Sequence, residues 1–237
     1  KNFRDSSNVQ DYALHDISFS VKKDEFLAVV GRTGCGKSTL LNLIAGLLKP
    51  TQGSIYINGK KITGTGLNRG MVFQYPALFP WLNVEGNIEF GLKIKGMERT
   101  ERARKVKEII DLVALKGWEK SYPGELSGGM QQRVAIARAL VLSPHILLMD
   151  EPFGSLDQIT RETMQEEILR IWQSFKKTVI FITHSIAEAI FLADRVIILT
   201  PHPGEIRKEI IINSCRPRDK TSIEFMKYYE QIYESIG

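Results

Sequence analysis

A short glycine-rich run, GRTGCGKST at residues 31–39, contains the residues best suited to phosphate chemistry. Its glycines allow a tight turn whose N–H groups point inward and form a concavity for an anion at the start of a helix. The Lys37 ammonium can reach β- and γ-phosphates, and the Ser38 hydroxyl can ligate Mg²⁺. The residues predicted to bind the nucleotide are Gly31, Arg32, Thr33, Gly34, Cys35, Gly36, Lys37, Ser38 and Thr39.

A second candidate site is the run ILLMDEP at residues 146–152, where an apolar strand ends in two carboxylates. In parallel sheets, ligands bind at the carboxyl ends of the strands. Asp150 is placed to hold Mg²⁺ through water, and Glu151 can orient or deprotonate an attacking water. The alternative is a solvated strand end, which the neighbouring phosphate loop disfavours.

A third run, LSGGMQQRVAIARAL at residues 126–140, places Ser127, Gly128 and Gly129 at the start of a predicted helix. The N-terminal amides of such a helix are again suited to an anion. Two anion sites in one chain are explained by a dimer in which the second site of one subunit closes over the γ-phosphate held by the other.

The elements that must position these residues follow from hydrophobic patterning. Near-continuous apolar runs predict buried strands at 26–30, 146–150, 179–183 and 196–199, as expected for parallel sheets. Short alternating runs within 14–30 and 53–73 predict further strands, residues 38–48 predict a helix, and residues 87–143 are mostly helical. A helix over about 158–175 carries an apolar stripe of Met164, Ile168, Ile171, Trp172 and Phe175.

Composition is that of an ordinary globular protein, with 43% hydrophobic and 25% charged residues among 237. No apolar run approaches the ~18 residues needed to span a bilayer, and residues 1–11 lack the apolar core of a signal peptide. We therefore expect a cytoplasmic protein, although the sequence lacks an initiator Met. Its two cysteines, Cys35 and Cys215, fit a reducing compartment without a disulfide or a metal cage.

The basic character of the chain, with a net charge of +5 and a pI near 9.1, raises a nucleic-acid interpretation. The densest basic segment, residues 99–107, is accompanied by Glu98 and Glu101 and leads into apolar residues at helical spacing. An amphipathic helix with a solvated charged face is therefore favoured over nucleic-acid binding.

Taken together, these motifs resemble the ATP-binding subunits of ABC transporters, over essentially the whole chain up to about residue 207. The resemblance is highly specific because six motifs occur in the family's order. These are the phosphate loop at 31–39, the Q-loop at Gln74, the signature at 126–130, the Walker B run at 146–151, the D-loop at Ser155, Leu156 and Asp157, and the switch histidine His184. The one departure is Met130, where the family most often has Gln.

The resemblance implies specific roles for residues that spacing alone does not assign. Gln74 contacts the Mg²⁺ and water region and reports the nucleotide state to the membrane partner. His184 contacts the γ-phosphate, and Asp157 bridges the two sites of the dimer. An aromatic residue upstream of the phosphate loop stacks on adenine in this family. Phe3 and Tyr12 are the candidates, with Phe3 favoured and ordinary packing as the alternative for either.

The segment from Phe73 to Lys93 and the run EPFGSLD at 151–157 resemble the nitrate, sulfonate and taurine importer group. Within that segment, Phe79, Trp81 and Leu82 form an apolar cluster that is plausible as a groove for a helix of the membrane subunit. A core cluster is the rival interpretation, and we do not expect all three side chains to be exposed.

The implied fold is α/β, with a P-loop (RecA-like) nucleotide-binding core, an antiparallel β subdomain and an inserted α-helical subdomain. We expect an ABC ATPase domain over 1–207, the helical subdomain at about 87–143, and a C-terminal extension at 208–237. The extension carries Phe225, Tyr229, Ile232 and Ile236 at helical spacing, which is enough for one docking helix and too short for a large regulatory domain.

The leading hypothesis is an ATP-hydrolysing importer subunit at the cytoplasmic face of the membrane, with ATP and Mg²⁺ as cofactors. Its expected partners are a second copy, the permease subunits and, indirectly, a solute-binding protein. One alternative is a non-transport ABC ATPase of DNA repair or translation, but the segment between Gln74 and Ser127 leaves no room for its usual insertions. The other is a phosphate-loop switch without turnover, which Glu151 and His184 disfavour.

Overall fold

The computed structural model describes residues 2–4 and 10–236, with side chains from residue 12 onward. Its strands are β1 Asn2–Arg4, β2 Gln10–Tyr12, β3 Phe26–Val30, β4 Tyr56–Ile57, β5 Lys60–Lys61, β6 Arg69–Val72, β7 Ile146–Asp150, β8 Thr178–Thr183, β9 Arg195–Leu199 and β10 Ile206–Ile211. Its α-helices are α1 Lys37–Ala45, α2 Val84–Ile94, α3 Arg99–Leu112, α4 Gly128–Leu140, α5 Gln158–Phe175, α6 Ile186–Leu192 and α7 Ile223–Ile236.

The chain divides into two units, of which the first comprises residues 1–66 and 177–237. Its main strands pair in the order β10, β9, β3, β8; β3 is parallel to both β8 and β9, and β10 is antiparallel to β9. Every residue of β3 and β8 is buried, which explains their continuous runs of β-branched and other apolar residues. Helix α6 packs against β3 and β8, and α1 against β8.

The second unit comprises residues 67–176. Strands β6 and β7 pair in parallel, and α4 packs on β6 and on three other helices, α2, α3 and α5. Helix α3 coincides with the basic segment, and three of its cations, Arg102, Arg104 and Lys105, pair with carboxylates, as in the 2.7 Å contact between Arg102 and Glu89. The mixed α/β class predicted from the sequence is therefore confirmed, with parallel pairing of the buried strands in each unit.

Two of the predicted elements need correction. The helix expected over 38–48 ends at Ala45, because Gly46 adopts a left-handed conformation (φ 79°) and its N–H caps the carbonyls of Asn42 and Leu43. A side chain there would also collide with the Gly64 carbonyl, 2.1 Å from an added Cβ. The described residues 13–25 form no strand, only an isolated bridge between Leu14 and Gly204.

The C-terminal residues pack into the first unit. Strand β10 spans the predicted boundary at residue 207, and α7 buries Phe225 and Ile232 against α6, β9 and β10. Arg218 is buried and donates to the Ile190 and Ala193 carbonyls at the end of α6. Burial lowers the pKa of Arg218 to about 10, so it stays cationic at neutral pH. Across the described residues, no helix is long and apolar enough to cross a membrane.

Candidate functional site

The phosphate loop connects β3 to α1 and requires glycine at two points. Gly34 and Gly36 have φ values of 86° and 95°, a region that other residues rarely adopt. A Cβ on Gly36 would also lie 2.6 Å from the Ala13 carbonyl oxygen. The Cys35 N–H closes the turn onto the Arg32 carbonyl at 3.2 Å. The backbone of the loop therefore continues directly into the N-terminus of α1, which is the arrangement that phosphate binding requires.

The Lys37 side chain lies along the inside of this loop. It is buried, with 6% of its surface exposed, and its Nζ donates to the Gly31 carbonyl at 2.9 Å and to the Arg32 carbonyl at 3.2 Å. Both acceptors belong to the loop itself. The ammonium therefore lies inside the loop that is predicted to bind the phosphates. Such placement reduces the side-chain entropy lost on binding an anion.

Cys35 contributes a thiol to the phosphate loop, and 1% of the residue is exposed. Burial raises the pKa of this thiol, and the Lys37 cation opposes that effect by lowering it. A raised pKa favours the neutral thiol at neutral pH, so the residue acts in packing rather than as a thiolate. Cys35 and Cys215 are both free cysteines.

His184 directly follows β8, at the edge of the sheet where the phosphate loop begins. Val30 at the end of β3 pairs with Thr183 at the end of the parallel strand β8, so Gly31 and His184 are the next residues at the same edge. The backbone after His184 is fixed by the Thr183 hydroxyl, which donates to the buried Glu188 carboxylate at 2.5 Å and accepts from the Ser185 N–H at 3.0 Å. The first unit therefore brings its two predicted groups, the phosphate loop and His184, to one strand edge.

The second unit brings Gln74 to the acidic strand end. Val72 of β6 pairs with Met149 of β7, so the segments containing Gln74 and Glu151 leave the same edge. Asp150 ends β7, and Glu151 follows with φ 42°, opening a turn in which the Gly154 N–H donates to the Glu151 carbonyl at 3.0 Å. A Cβ on Gly154 would lie 3.1 Å from the Gln74 amide nitrogen, which shows how closely that amide approaches the turn.

The signature residues lie at the start of α4. Ser127 is the N-cap, and its hydroxyl accepts from the Met130 N–H at 3.3 Å. A Cβ on Gly129 would lie 2.7 Å from Cγ2 of Thr160, and one on Gly128 would lie 3.5 Å from Leu156. The signature therefore packs on the segment that begins α5, and a side chain at Gly129 would require Thr160 or the start of α4 to shift.

Asp157 caps α5 immediately beside this contact. Its carboxylate accepts from the Thr160 N–H at 3.0 Å, and hydrogen bonds from Thr160 lower the pKa of Asp157. The second unit thus places the predicted D-loop residue next to the predicted signature. Asp157, Ser127 and Gly128 are exposed at the helix N-termini, whereas Gly129 is buried.

The predicted adenine contact stays a prediction. The side chain of Phe3 lies outside the described residues. Tyr12 is half-buried, its ring centroid is 6.4 Å from that of His15, and the adjacent Ala13 carbonyl lies against the phosphate loop. Phe3 and Tyr12 both remain predictions for the aromatic stack.

The turn between β9 and β10 supports the phosphate loop, and this contact was not predicted from the sequence. The Gly204 N–H donates to the Ala13 carbonyl at 3.1 Å, and a Cβ on Gly204 would lie 2.1 Å from the Cys35 carbonyl oxygen. Glycine is needed here for close backbone approach rather than for a special φ. The only sequence signal was a Pro-Gly turn, which does not say what the turn contacts.

The predicted apolar cluster around Phe79 is partly exposed. The Phe79 ring packs against Phe90 at 4.5 Å and Trp81 at 5.5 Å between ring centroids. Trp81 is 70% exposed, whereas Phe79 and Leu82 are half-buried, so the three side chains are not all exposed, as expected. The cluster is neither a closed core nor a fully open surface.

The residues predicted to bind Mg²⁺ supply oxygen donors, namely the Ser38 hydroxyl, the Asp150 carboxylate and the Gln74 amide. The part of the chain that the structure describes contains no cluster of three or more His, Cys, Asp or Glu that could hold a metal unaided. Mg²⁺ typically binds through one or two carboxylates together with substrate phosphates and water. The donor chemistry therefore fits Mg²⁺ bound together with a nucleotide.

Comparison with known proteins gives one consistent result. Residues 14–154 match a family model described as ABC transporter. The taurine import ATP-binding protein of Pelagibacter ubique is 51% identical over 84% of this chain and 75% of its own length. The nitrate import ATP-binding protein of Synechocystis is 47% identical over 93% of this chain and 86% of its own length.

The fold comparison agrees with the sequence comparison. A solved dimeric ATP-binding cassette, in a post-hydrolysis state bound to ADP and Pi, superposes with a TM-score of 0.77 at 33% identity. The match covers 91% of this chain and 97% of that one.

Proposed function

The chain belongs to the ABC transporter family, and on that premise we propose that it is the ATP-binding and ATP-hydrolysing subunit of an importer. The observation that carries the proposal is a pair of glycine-containing helix N-termini suited to anions, the phosphate loop before α1 and the signature before α4. The ATPase domain spans residues 1–207, with a helical subdomain at about 87–143 and an extension at 208–237.

Two copies of the chain bind two ATP molecules, and each phosphate loop meets the signature of the other copy. The Lys37 ammonium and the loop amides neutralise charge on the β- and γ-phosphates, where electrostatic stabilisation supplies most of the catalysis. Ser127, Gly128 and Gly129 of the opposing copy donate from the N-terminus of α4 to the γ-phosphate. Asp157 links the two sites across the dimer.

Hydrolysis requires a water activated and aligned with the γ-phosphate. Glu151 takes the proton of that water as a general base. His184 contacts the γ-phosphate, and Gln74 senses the nucleotide and water region. Mg²⁺, held by Ser38, Asp150 and Gln74, would supply charge neutralisation at the phosphate oxygens when bound.

The assembled protein acts at the cytoplasmic face of the membrane as a peripheral subunit. The exposed aromatic surface around Trp81 suits an apolar helix end of a permease subunit. The relatives named for taurine import and nitrate import support a small anionic or zwitterionic solute. That solute is delivered to the permease by a separate solute-binding protein.

Purification from native membranes through a tag on this chain tests the importer role. The expected result is co-purification of a polytopic membrane protein, with hydrolysis by the complex that responds to its solute-binding protein. Recovery with ribosomes or DNA, in a salt-sensitive manner and without a membrane partner, would instead support the non-transport alternative.

A further inference from the structure

The loop at residues 76–82, termed the aromatic loop, carries Phe79 and Trp81 and is fixed at one end by α2. The fully buried Asn87 amide accepts from the Phe79 N–H at 2.8 Å. It donates to the carbonyls of Phe79 at 3.1 Å and Leu82 at 2.8 Å. These bonds shape the second half of the loop, because a buried amide this well satisfied is costly to disturb.

Arg138, on α4, binds the first half of the same loop. Its guanidinium donates to the Ala77 carbonyl at 2.8 Å and the Pro76 carbonyl at 2.9 Å. Its Cζ also lies 5.5 Å from the centroid of the Phe79 ring, within cation–π range. The planar fork of arginine, with several fixed donors, suits two neighbouring acceptors in a way that lysine cannot reproduce.

The loop conformation held by Arg138 includes an energetically unfavourable backbone geometry. Ala77 has φ 46°, a left-handed conformation that costs a non-glycine residue free energy and persists when surrounding contacts enforce it. Both guanidinium bonds lie at or next to this residue. Arg138 therefore stabilises the strained turn that presents Phe79 and Trp81.

The position of Arg138 along α4 gives this contact a functional meaning. Helix α4 runs unbroken from Gly128 to Leu140, with the signature serine as its N-cap and Arg138 in its last turn. A continuous helix transmits a displacement at one end to the other. Helix α4 thus connects the signature to the aromatic loop through three contacts of Arg138, namely two hydrogen bonds and one cation–π contact.

We propose that Arg138 is a positioning residue that makes the aromatic loop move with the signature helix, so that the state of the nucleotide site sets the surface offered to the permease. This inference rests on the proposed importer function. Among the described residues, the hydrogen-bond and ring partners of Arg138 are Pro76, Ala77 and Phe79, none of which is predicted to bind nucleotide. Its loss should therefore separate hydrolysis from coupling to the membrane.

Arg133 provides a matched control on the same helix. It is also half-buried, and it pairs with Glu167 of α5 at 2.7 Å instead of with the aromatic loop. R133M and R138M therefore each replace one arginine of α4 with methionine, and only R138M releases the aromatic loop. R138K keeps the positive charge near Phe79 but not the two-carbonyl fork.

The first measurement is hydrogen–deuterium exchange of the isolated chain over residues 76–82. We expect R138M to accelerate exchange of the aromatic loop by about tenfold, R138K by less, and R133M not at all. Unchanged exchange in R138M, or equal acceleration in R133M, would overturn the proposal. If R138M does not fold, R138K and R133M make the same comparison.

The second measurement compares hydrolysis by the isolated chain with hydrolysis by the complex purified from membranes. R138M should keep both kcat and KM of the isolated chain within about twofold and lower kcat of the complex by about tenfold, with partial rescue by R138K. A parental rate in the R138M complex would refute the inference. Absence of hydrolysis by the parent chain and complex would refute the proposed function instead, and the exchange result would still decide the role of Arg138 in the loop.

Discussion

At the scale of single residues, the proposed chemistry depends on groups whose positions are fixed by the protein's own backbone. Lys37 is buried against the carbonyls of its own loop, and Glu151 is placed at a strand end by a left-handed turn. Ser127 and Asp157 cap two helices whose first turns contact each other. These positions are set by backbone geometry, so conservative side-chain replacements should change chemistry without changing the fold.

Replacing Glu151 with Gln tests the general base. The amide keeps the shape of the carboxylate but cannot accept the proton, so turnover should fall by about 10²- to 10⁴-fold while ATP binding persists. Nucleotide titration and size-exclusion chromatography should show a dimer trapped with ATP. Parental turnover by this variant would exclude Glu151 from the catalytic role.

Replacing Gly129 with Ala tests the signature without touching the phosphate loop. The added methyl group would meet Thr160 at 2.7 Å and displace the start of α4. A displacement of about 1 Å can cost up to ~100-fold in rate, so we expect hydrolysis to fall by about tenfold or more with ATP affinity of the monomer unchanged. Gly124→Ala is the control because a Cβ there meets nothing within 4 Å. Loss of monomer binding in G129A would argue against a shared site.

At the scale of elements, parallel strands align the site residues. The register between β3 and β8 puts the phosphate loop beside His184, and the register between β6 and β7 puts Gln74 beside Glu151. The turn between β9 and β10 then supports the phosphate loop through Gly204. This support comes from a segment that carries none of the predicted site residues.

Replacing Gly204 with Ala tests that support. The new Cβ would lie 2.1 Å from a backbone oxygen that cannot move without shifting Cys35. Overpacking of this kind costs about 1–3 kcal/mol, and we expect ATP affinity to weaken by about tenfold together with a lower melting temperature. Gly64→Ala, where an added Cβ has open space, should leave both unchanged. Equal ATP affinity in G204A and the parent would show that the turn does not shape the loop.

Sequence patterning predicted the buried strands and the long helix with one apolar face. The runs at 26–30 and 146–150 became strands with those bounds, and the helix at 158–175 has its predicted ends. Patterning failed where the structure is set by distant contacts, as in residues 13–25, whose one bridge is to Gly204. Patterning also did not predict the role of Arg138, because the carbonyls that Arg138 binds lie 61 and 62 positions earlier in the chain.

At the scale of the whole molecule, the proposed function has each chain contribute to two catalytic sites, its phosphate loop to one and its signature to the other. The first unit holds the phosphate loop and His184, and the second holds the acidic strand end, the signature and Asp157. The solved dimeric cassette that resembles this chain was captured with ADP and Pi, after hydrolysis. Dimerisation is therefore expected to complete the site as well as to bring two chains together.

The most direct test of this account mixes two inactive variants, Lys37→Ala and Gly129→Asp. The first lacks a working phosphate loop but has an intact signature, and the second has the reverse. A mixed dimer contains one complete site, so the mixture should recover hydrolysis that neither variant shows alone, with a rate that depends on the ratio of the two. A mixture as inactive as its components, despite mixed dimers detected with ATP, would contradict the shared site.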